Sequence, residues 1–262
     1  MKHVVIDYTK YHSVWEKIID AEAAFVDIDG TLVNSEPIIR DVIEELAKEA
    51  GYNFKEKDWD SLAGIGDREV GKQIATWCPE FADKYPTGED FEIARLKRYE
   101  ERIGEVKANQ PALDLVNLFI KAGKPVVAVT NSPIHLAKKH LKIAGYPADK
   151  MGLISQEDAY DRSLEPKPNP ALYELAFYKT ALDRLDSGVQ GGFKRKKCLI
   201  LEDSGTGVRA GLRAGMMTIQ FTDMCKVLDS EEAAQISSRK ASFYPMKFED
   251  LANMMSQANV PA

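Results

Sequence analysis

Short apolar runs separated by helical patterns are the feature of this sequence that most restricts its fold. Each run is rich in Val, Ile and Leu, is followed at once by turn residues, and precedes a stretch with helical periodicity. This alternation is typical of a parallel sheet with helices on its faces. It predicts an α/β fold built on a Rossmann-like, doubly wound parallel sheet. The predicted strands are 23–26, 125–130, 151–154, 197–201 and 216–221.

Proline and glycine mark the ends of the predicted helices between these strands. Pro111 stands at a first-turn position, and Gly123 ends the helix that follows it. Pro133 begins the next helix, which stops at Gly145. Residues 180–196 contain three glycines and the basic run FKRKK, and are predicted to form a polar loop.

A region without strand runs interrupts the alternation between the first two predicted strands. Its apolar residues instead recur at helical spacing over 38–50, 70–77 and 91–103. A helical insert of this size favours a separate domain. We therefore predict an α/β catalytic core domain formed by 1–34 and 106–262, and an α-helical cap domain formed by 35–105.

Composition and charge exclude several functional classes. The net charge of −6 gives no basic field that would recruit nucleic acid or an anionic membrane. The three cysteines are too few and too scattered for a disulfide framework, and no run of 18 apolar residues occurs. These features indicate a cytoplasmic protein without nucleic-acid or membrane partners. A short basic run such as FKRKK is more typical of a solvated loop than of a nucleic-acid site.

Polar residues stand at four places in the sequence where an apolar run or a turn ends. In an open parallel sheet, the ligand site lies at the carboxyl ends of the strands. Several of these polar residues are carboxylates, which would repel one another unless a cation lay between them, and Mg²⁺ prefers such oxygen ligands. A hydroxyl, a lysine and turn amides beside the cation would suit a phosphoryl group. The candidates are Asp27 and Asp29 in FVDIDGTL, Thr130-Asn131-Ser132, Lys167 in KPNP, and Glu202-Asp203 in LILEDSGTG.

These motifs, taken in order, resemble the haloacid dehalogenase superfamily, in the helical-cap subgroup that includes β-phosphoglucomutase and phosphoglycolate phosphatase. The matching stretches are DIDGTLVNSEP, VTNS, KPNPALY and LEDSGTGVRAGLRAGM. The resemblance spans roughly 25–221. It implies a Mg²⁺-dependent phosphatase that hydrolyses a small phosphorylated metabolite, such as a sugar phosphate, through an aspartyl-phosphate intermediate.

Carried over position by position, the resemblance assigns each residue a role. Asp27 would attack the phosphorus, and Asp29 would protonate the leaving alcohol and then activate water. Thr130, the Asn131 amide and Lys167 would hold phosphoryl oxygens, with Gly30 among the residues that bind substrate. Mg²⁺ would be bound by Asp27, the Asp29 backbone carbonyl and Asp203, with Glu202 as a ligand or as support.

The predicted cap contains a glycine-containing loop, GIGDR, of the kind that family caps direct at the active site. Asp67 or Arg68 is therefore a candidate for contact with substrate, although Asp67 could also serve only as a helix N-cap. His135 and His140 lie five positions apart on one predicted helix, so they make a poor metal pair and are interpreted as surface residues.

Two departures from the family pattern bear on the reaction. Asn34 stands where the family usually has Asp, and Ile39 stands where mutases tend to carry a histidine. Both favour a phosphatase over the alternative, a sugar phosphomutase of the β-phosphoglucomutase type. A second alternative is a non-catalytic protein that binds a phospholigand or a partner. The sequence leaves open the substrate and whether the protein is a monomer or a homodimer.

Overall fold

The computed structural model describes residues 8–62, 66–146, 151–188, 194–223, 225–237 and 241–258. Its contacts divide the chain into two compact units. The larger unit is Met1–Val33 with Ala108–Ala262, and the smaller unit is Asn34–Lys107. Within the described ranges, no helix combines the length and the apolar character needed to cross a bilayer.

Two sheets contain the strands of the described residues. A six-stranded sheet has the order β5-β4-β1-β6-β7-β8, and β2 and β3 form a separate two-stranded sheet. In chain order the strands are β1 Ala23–Val26, β2 Val33–Asn34, β3 Lys107–Ala108, β4 Val126–Val129, β5 Gly152–Ile154, β6 Cys198–Glu202, β7 Met217–Phe221 and β8 Phe243–Met246.

The six-stranded sheet confirms the predicted α/β fold. Its neighbouring strands are all parallel, and β1 lies at the centre between β4 and β6. The chain proceeds outward from β1 through β4 to β5, then continues on the other side with β6 and β7. The carboxyl ends of β1, β4 and β6 therefore meet where the strand order reverses, which is the usual ligand position in such sheets.

Thirteen α-helices occur in the described residues. In chain order they are α1 Tyr8–Asp20, α2 Glu36–Glu49, α3 Glu56–Leu62, α4 Asp67–Trp77, α5 Pro79–Lys84, α6 Gly88–Arg102, α7 Gln110–Lys121, α8 Ile134–Ile143, α9 Gln156–Tyr160, α10 Ala171–Asp186, α11 Gly205–Arg213, α12 Ser230–Ile236 and α13 Phe248–Gln257.

Buried apolar side chains join the helices of the larger unit to the sheet. Helix α10 packs on β4 and β5, α7 packs on β1 and β4, and α11 packs on β6 and β7. Phe25 from β1, Ile200 from β6 and Tyr173 from α10 are fully buried in one core cluster. All residues of β1, β4, β6 and β7 are buried, as a sheet covered on both faces requires.

The prediction of a polar loop over 180–196 was wrong in its first part. Helix α10 continues to Asp186, and Thr180 is buried within it, where its hydroxyl donates to the Ala176 carbonyl at 2.8 Å. Leu182 and Leu185 keep helical spacing on the exposed side. Residues 195–197 form a short 3₁₀ turn before β6, and 189–193 lie outside the described residues.

The smaller unit is helical apart from its ends, with α2, α3, α4, α5 and α6. Phe81, Phe91 and Tyr99 are fully buried there, and the tilted rings of Phe81 and Phe91 pack with their centroids 5.4 Å apart. Gly71 of α4 lies so close to Phe91 that a Cβ would come within 2.8 Å of its side chain. The unit therefore has an apolar core of its own, as an independent domain needs.

Helix α1 is part of the larger unit's core, although the resemblance begins only after it. Ile18 is fully buried, whereas Ile19 is 45% exposed, and α1 packs against α13. We expect Ile18→Ala to lower the free energy of unfolding by about 2–5 kcal/mol, because it leaves a cavity. Ile19→Ala is the matched control and should change it by about 0.5 kcal/mol or less. Urea denaturation measures both, and equal effects would show that α1 is not packed.

Candidate active site

A tight loop after β1 presents the first two candidate carboxylates. Asp27 is buried, and its backbone N–H continues the pairing with β6 by donating to the Leu201 carbonyl at 2.9 Å. The loop then turns at Gly30, whose φ of +76° is a conformation that other residues rarely adopt. A Cβ on Gly30 would lie 2.0 Å from Asp203 Oδ2, so this glycine lets the acidic residue after β6 approach the loop after β1.

The turn after β4 brings Thr130 and Asn131 to the same edge of the sheet. Thr130 is buried, and its Oγ1 accepts a hydrogen bond from the Ser132 backbone N–H at 3.0 Å. The Asn131 side chain exchanges two hydrogen bonds with the Lys167 backbone, at 3.0 and 3.1 Å. Asn131 thereby fixes the loop that carries Lys167.

Lys167 contacts the carboxyl ends of three different strands. Its buried Nζ donates to Asp27 Oδ1 at 2.6 Å, to the Val129 carbonyl at 2.8 Å and to Glu202 Oε1 at 2.7 Å. These contacts use all three ammonium hydrogens. The structure therefore brings Lys167 together with Asp27 and Glu202, from which it is separated by 140 and 35 positions in sequence.

Glu202 and Asp203 complete a buried acidic cluster. Carboxylate oxygens of Asp27, Glu202 and Asp203 all lie within 4.8 Å of one another. The two oxygens of Glu202 have protein partners: Oε1 accepts from Lys167 and Tyr173, and Oε2 accepts from the Ser204 hydroxyl. Protein donors therefore hold both oxygens of Glu202. The other two carboxylates of the cluster belong to Asp27 and Asp203.

The cluster contains more negative charge than Lys167 balances. Burial raises the pKa of Asp27 well above its usual range, the charge of Glu202 raises it further, and Lys167 offsets only part of this. Burial alone would lower the pKa of Lys167, but attraction to Asp27 and Glu202 outweighs it and holds that pKa above its ordinary value. Buried, hard oxygen donors with excess negative charge are suited to a divalent cation such as Mg²⁺.

Gly207 gives a direct test of the position of Glu202. A Cβ on Gly207 would lie 1.8 Å from Glu202 Oε1, whereas a Cβ on Gly205, two positions earlier in α11, would meet only the Arg209 guanidinium at 3.1 Å. We expect Gly207→Ala to cost about 1–3 kcal/mol of stability through overpacking and to displace Glu202. Gly205→Ala should change stability by about 0.5 kcal/mol or less, because an arginine side chain can move aside. Urea denaturation of both variants decides, and a harmless Gly207→Ala would contradict the described position of Glu202.

Four polar residues to which the sequence motifs assigned no role hold the site together. Tyr173 is fully buried and its hydroxyl donates to Glu202 Oε1 at 2.6 Å. The buried Gln220 donates to the Asp203 carbonyl at 2.9 Å, and its own side-chain oxygen accepts from the Leu228 N–H. The Ser132 hydroxyl donates to Asp29 Oδ2 at 2.8 Å, and Cys225 Sγ lies 3.3 Å from Asp203 Oδ2.

The interpretation of His140 as a surface residue was wrong. His140 is fully buried in α8, and its Nδ1 lies 3.0 Å from Asp29 Oδ1. His135 is exposed, as expected. The sequence did contain a signal, because His140 follows Leu136 by four positions and Ala137 by three, and both are buried on the same face of α8.

Asp67 and Arg68 lie at the start of α4 in the smaller unit. Gly66, not Asp67, is the N-cap residue, and the Asp67 carboxylate forms an ion pair with the buried Arg95. Arg68 is half exposed, and its Nε donates to Glu92 Oε2 at 2.6 Å. Gly88 packs against the Arg68 backbone, where a Cβ would come within 2.3 Å of the carbonyl oxygen. Gly64 and Ile65, which precede them in the predicted loop, lie outside the described residues.

Curated relatives cover most of this chain. Hexitol phosphatase A of Escherichia coli strain K12 is 29% identical over 203 residues, which are 74% of this chain and 79% of that protein. A phosphorylated carbohydrates phosphatase of Thermotoga maritima is 26% identical over 203 residues, which are 76% of this chain and 83% of that protein.

Solved structures show the same fold. A HAD family hydrolase from Deinococcus radiodurans R1, with bound phosphate and sodium, matches with a TM-score of 0.62 at 21% identity. The match covers 93% of this chain and 99% of the chain of that hydrolase. The family model of the haloacid dehalogenase-like hydrolases matches residues 21–215, from just before β1 to just after α11. The match contains each of the segments that supply Asp27, Thr130, Lys167 and Asp203. This chain belongs to the haloacid dehalogenase-like hydrolase family.

Proposed function

We propose that this protein is a Mg²⁺-dependent phosphatase that hydrolyses a small phosphorylated metabolite through an aspartyl-phosphate intermediate. The observation that carries the proposal is the buried contact of Asp27 with Lys167 beside Glu202 and Asp203. A carboxylate in this setting is withdrawn from bulk water and is oriented by a fixed ammonium group, as a nucleophile requires.

Two displacement steps follow from the roles of Asp27 and Asp29. In the first, a carboxylate oxygen of Asp27 forms a bond to phosphorus while the ester P–O bond breaks, and Asp29 gives its proton to the departing alkoxide. In the second, Asp29 takes a proton from water, whose oxygen bonds to phosphorus as the Asp27–phosphorus bond breaks. Inorganic phosphate leaves, and both carboxyl groups return to their starting states.

Thr130 and the Asn131 backbone amide bind the phosphoryl oxygens in this proposal. The Thr130 oxygen accepts from the Ser132 N–H, so its own hydroxyl proton can be donated to a phosphoryl oxygen. The Asn131 side chain is already committed to the Lys167 backbone, which leaves the Asn131 N–H as the group for substrate. Lys167 orients Asp27 and balances charge that develops in the transition state.

The donors of the acidic cluster fit Mg²⁺. The carboxylates of Asp27 and Asp203 and the backbone carbonyl of Asp29 would bind the ion, with Glu202 behind them as support. The ion would supply positive charge that stabilises the phosphoryl oxygens in the transition state. Gly30 gives Asp203 the room that this ligand set needs.

The proposed substrate class rests on the names of two relatives. A relative named hexitol phosphatase A and another named phosphorylated carbohydrates phosphatase favour a sugar or polyol phosphate. We propose that the smaller unit, Asn34–Lys107, is the cap domain, and that Arg68 or Asp67 contacts substrate. Because Asp67 is paired with Arg95 and Arg68 with Glu92, substrate would have to compete for one of these partners.

A panel of phosphorylated metabolites tests the proposed function. Purified protein is incubated with p-nitrophenyl phosphate and with sugar and polyol phosphates, and free phosphate is measured with Mg²⁺ and with EDTA. We expect hydrolysis of at least one polyol or sugar phosphate that EDTA abolishes. Isomerised sugar phosphate in excess of free phosphate, when a bisphosphate primer is supplied, would show a mutase instead. No turnover of any phosphomonoester with Mg²⁺ would favour a non-catalytic binding protein.

A further inference from the structure

The proposed acid–base residue Asp29 is contacted on both carboxylate oxygens by one segment of the chain. His140 Nδ1 lies 3.0 Å from Oδ1, and the Ser132 hydroxyl donates to Oδ2 at 2.8 Å. Ser132 lies in the turn after β4, 103 positions from Asp29 in sequence, and His140 lies in the second turn of α8, 111 positions from Asp29. This arrangement leaves the carboxyl group little freedom to rotate.

The segment that carries both contacts is itself fixed. The Ser132 N–H donates to Thr130 Oγ1, and the Ser132 carbonyl accepts from the Gln156 N–H. The Glu157 carboxylate accepts from the first N–H of α8, that of Ile134, at 2.9 Å. Leu136, Ala137 and Leu141 bury the face of α8 that also presents His140. His140 is therefore held in place by its helix, independently of Asp29.

We propose that His140 is a positioning residue that orients Asp29 for proton transfer to the leaving group, with Ser132 as the second holder. The inference rests on the proposed function, in which Asp29 is the general acid. A general acid must stand within hydrogen-bond reach of the leaving oxygen, so a carboxyl group free to rotate would be productive only part of the time. The hydrogen bond from Ser132 on one oxygen and the close approach of the His140 ring to the other restrict that freedom.

A purely structural role for His140 makes a different prediction. A buried histidine that only fills space could be replaced by an apolar residue of similar size, with equal effects on all substrates. A positioning role instead affects only reactions that need a proton from Asp29. p-Nitrophenolate leaves without protonation, whereas the alkoxide of a polyol phosphate needs it, so the two substrates separate the two roles.

The test compares kcat/KM for p-nitrophenyl phosphate and for a polyol phosphate chosen from the active members of the panel. General acid catalysis contributes roughly 10²–10⁴-fold, so we expect His140→Phe to lower kcat/KM for the polyol phosphate by about 30-fold or more. The value for p-nitrophenyl phosphate should change by about threefold or less. His140→Asn places an amide near the position of Nδ1 and is expected to restore most of the lost activity. Ser132→Ala should show the same selectivity.

Two controls keep the result interpretable. His135→Gln changes the exposed histidine on the same helix and should leave both substrates unaffected. If His140→Phe does not fold, as thermal unfolding would show, Ser132→Ala decides by the same substrate ratio, and a ratio equal to that of wild type would overturn the inference.

Failure of the inference and failure of the proposed function look different. Wild-type protein without Asp27-dependent hydrolysis of either substrate would overturn both. Active wild-type protein whose His140→Phe variant loses both activities equally, or neither, would overturn only the positioning role. Selective loss on the polyol phosphate supports it.

Discussion

Asp27→Asn is expected to lower phosphatase kcat by about 10⁴-fold or more, as removal of a nucleophile does. The amide that replaces the carboxylate is isosteric but cannot form an acyl phosphate. The same change removes one of the three buried carboxylates of the acidic cluster, so binding of Mg²⁺ should weaken as well. Steady-state release of phosphate and calorimetric titration with Mg²⁺ measure the two effects.

Stability distinguishes this outcome from misfolding. The pKa of Asp27 is raised in the folded chain by burial and by Glu202, so at neutral pH its ionised form costs stability relative to the unfolded chain. The cost is absent at pH values below the pKa of Asp27 in the unfolded chain. It is present in full at pH values above the pKa of Asp27 in the folded chain. A neutral Asn avoids it, so in EDTA at neutral pH the variant should melt at the same temperature as wild type or higher. Asp186→Asn, at the exposed end of α10, is the control for a general charge effect. Full turnover by Asp27→Asn would remove this residue from the nucleophile's role.

Lys167→Met is expected to reduce both stability and activity. Its buried ammonium group lies within hydrogen-bond reach of both Asp27 and Glu202, and removal of one partner from a buried ionic network costs about 3–5 kcal/mol. We expect the urea midpoint at neutral pH in EDTA to fall accordingly. Activity should fall by about 10³-fold, because Asp27 loses the group that orients it.

An exposed lysine provides the matched control for Lys167. Lys179 on α10 is exposed, and Lys179→Met should change the free energy of unfolding by about 0.5 kcal/mol or less. A Lys167→Met variant as stable as wild type would contradict the described contacts of Nζ. The reciprocal variant Glu202→Gln should lose less stability than Lys167→Met, since Lys167 keeps Asp27 as a partner.

The sequence predicted the centre of the sheet because β1, β4, β6 and β7 carry their signal locally. Each is a continuous apolar run, which is what burial on both faces requires, and each predicted boundary differs from the observed one by no more than one residue. Strand β8 was not predicted. Its sequence, FYPM, contains a proline and lies at the edge of the sheet, where strands are less apolar and proline is tolerated.

The site was predictable to the extent that its residues stand next to strand ends. Asp27, Thr130 and Glu202 each follow or end a buried run, so the order of strands alone brings them together. Tyr173 and His140 belong to helices, where a buried polar side chain looks like any other core position in the sequence. Their partners, Glu202 and Asp29, are distant in sequence, and only the packing of α10 and α8 on the sheet shows which polar atoms they meet.

A crystal structure with Mg²⁺ and beryllium fluoride, a mimic of the phosphoryl group on an acyl phosphate, is the most direct test of the proposed reaction. The expected result is a fluoride complex attached to a carboxylate oxygen of Asp27, with Mg²⁺ bound by Asp27 and Asp203 and with Thr130 donating to a fluorine. A complex attached elsewhere, or an ion bound without Asp27 and Asp203, would contradict the account.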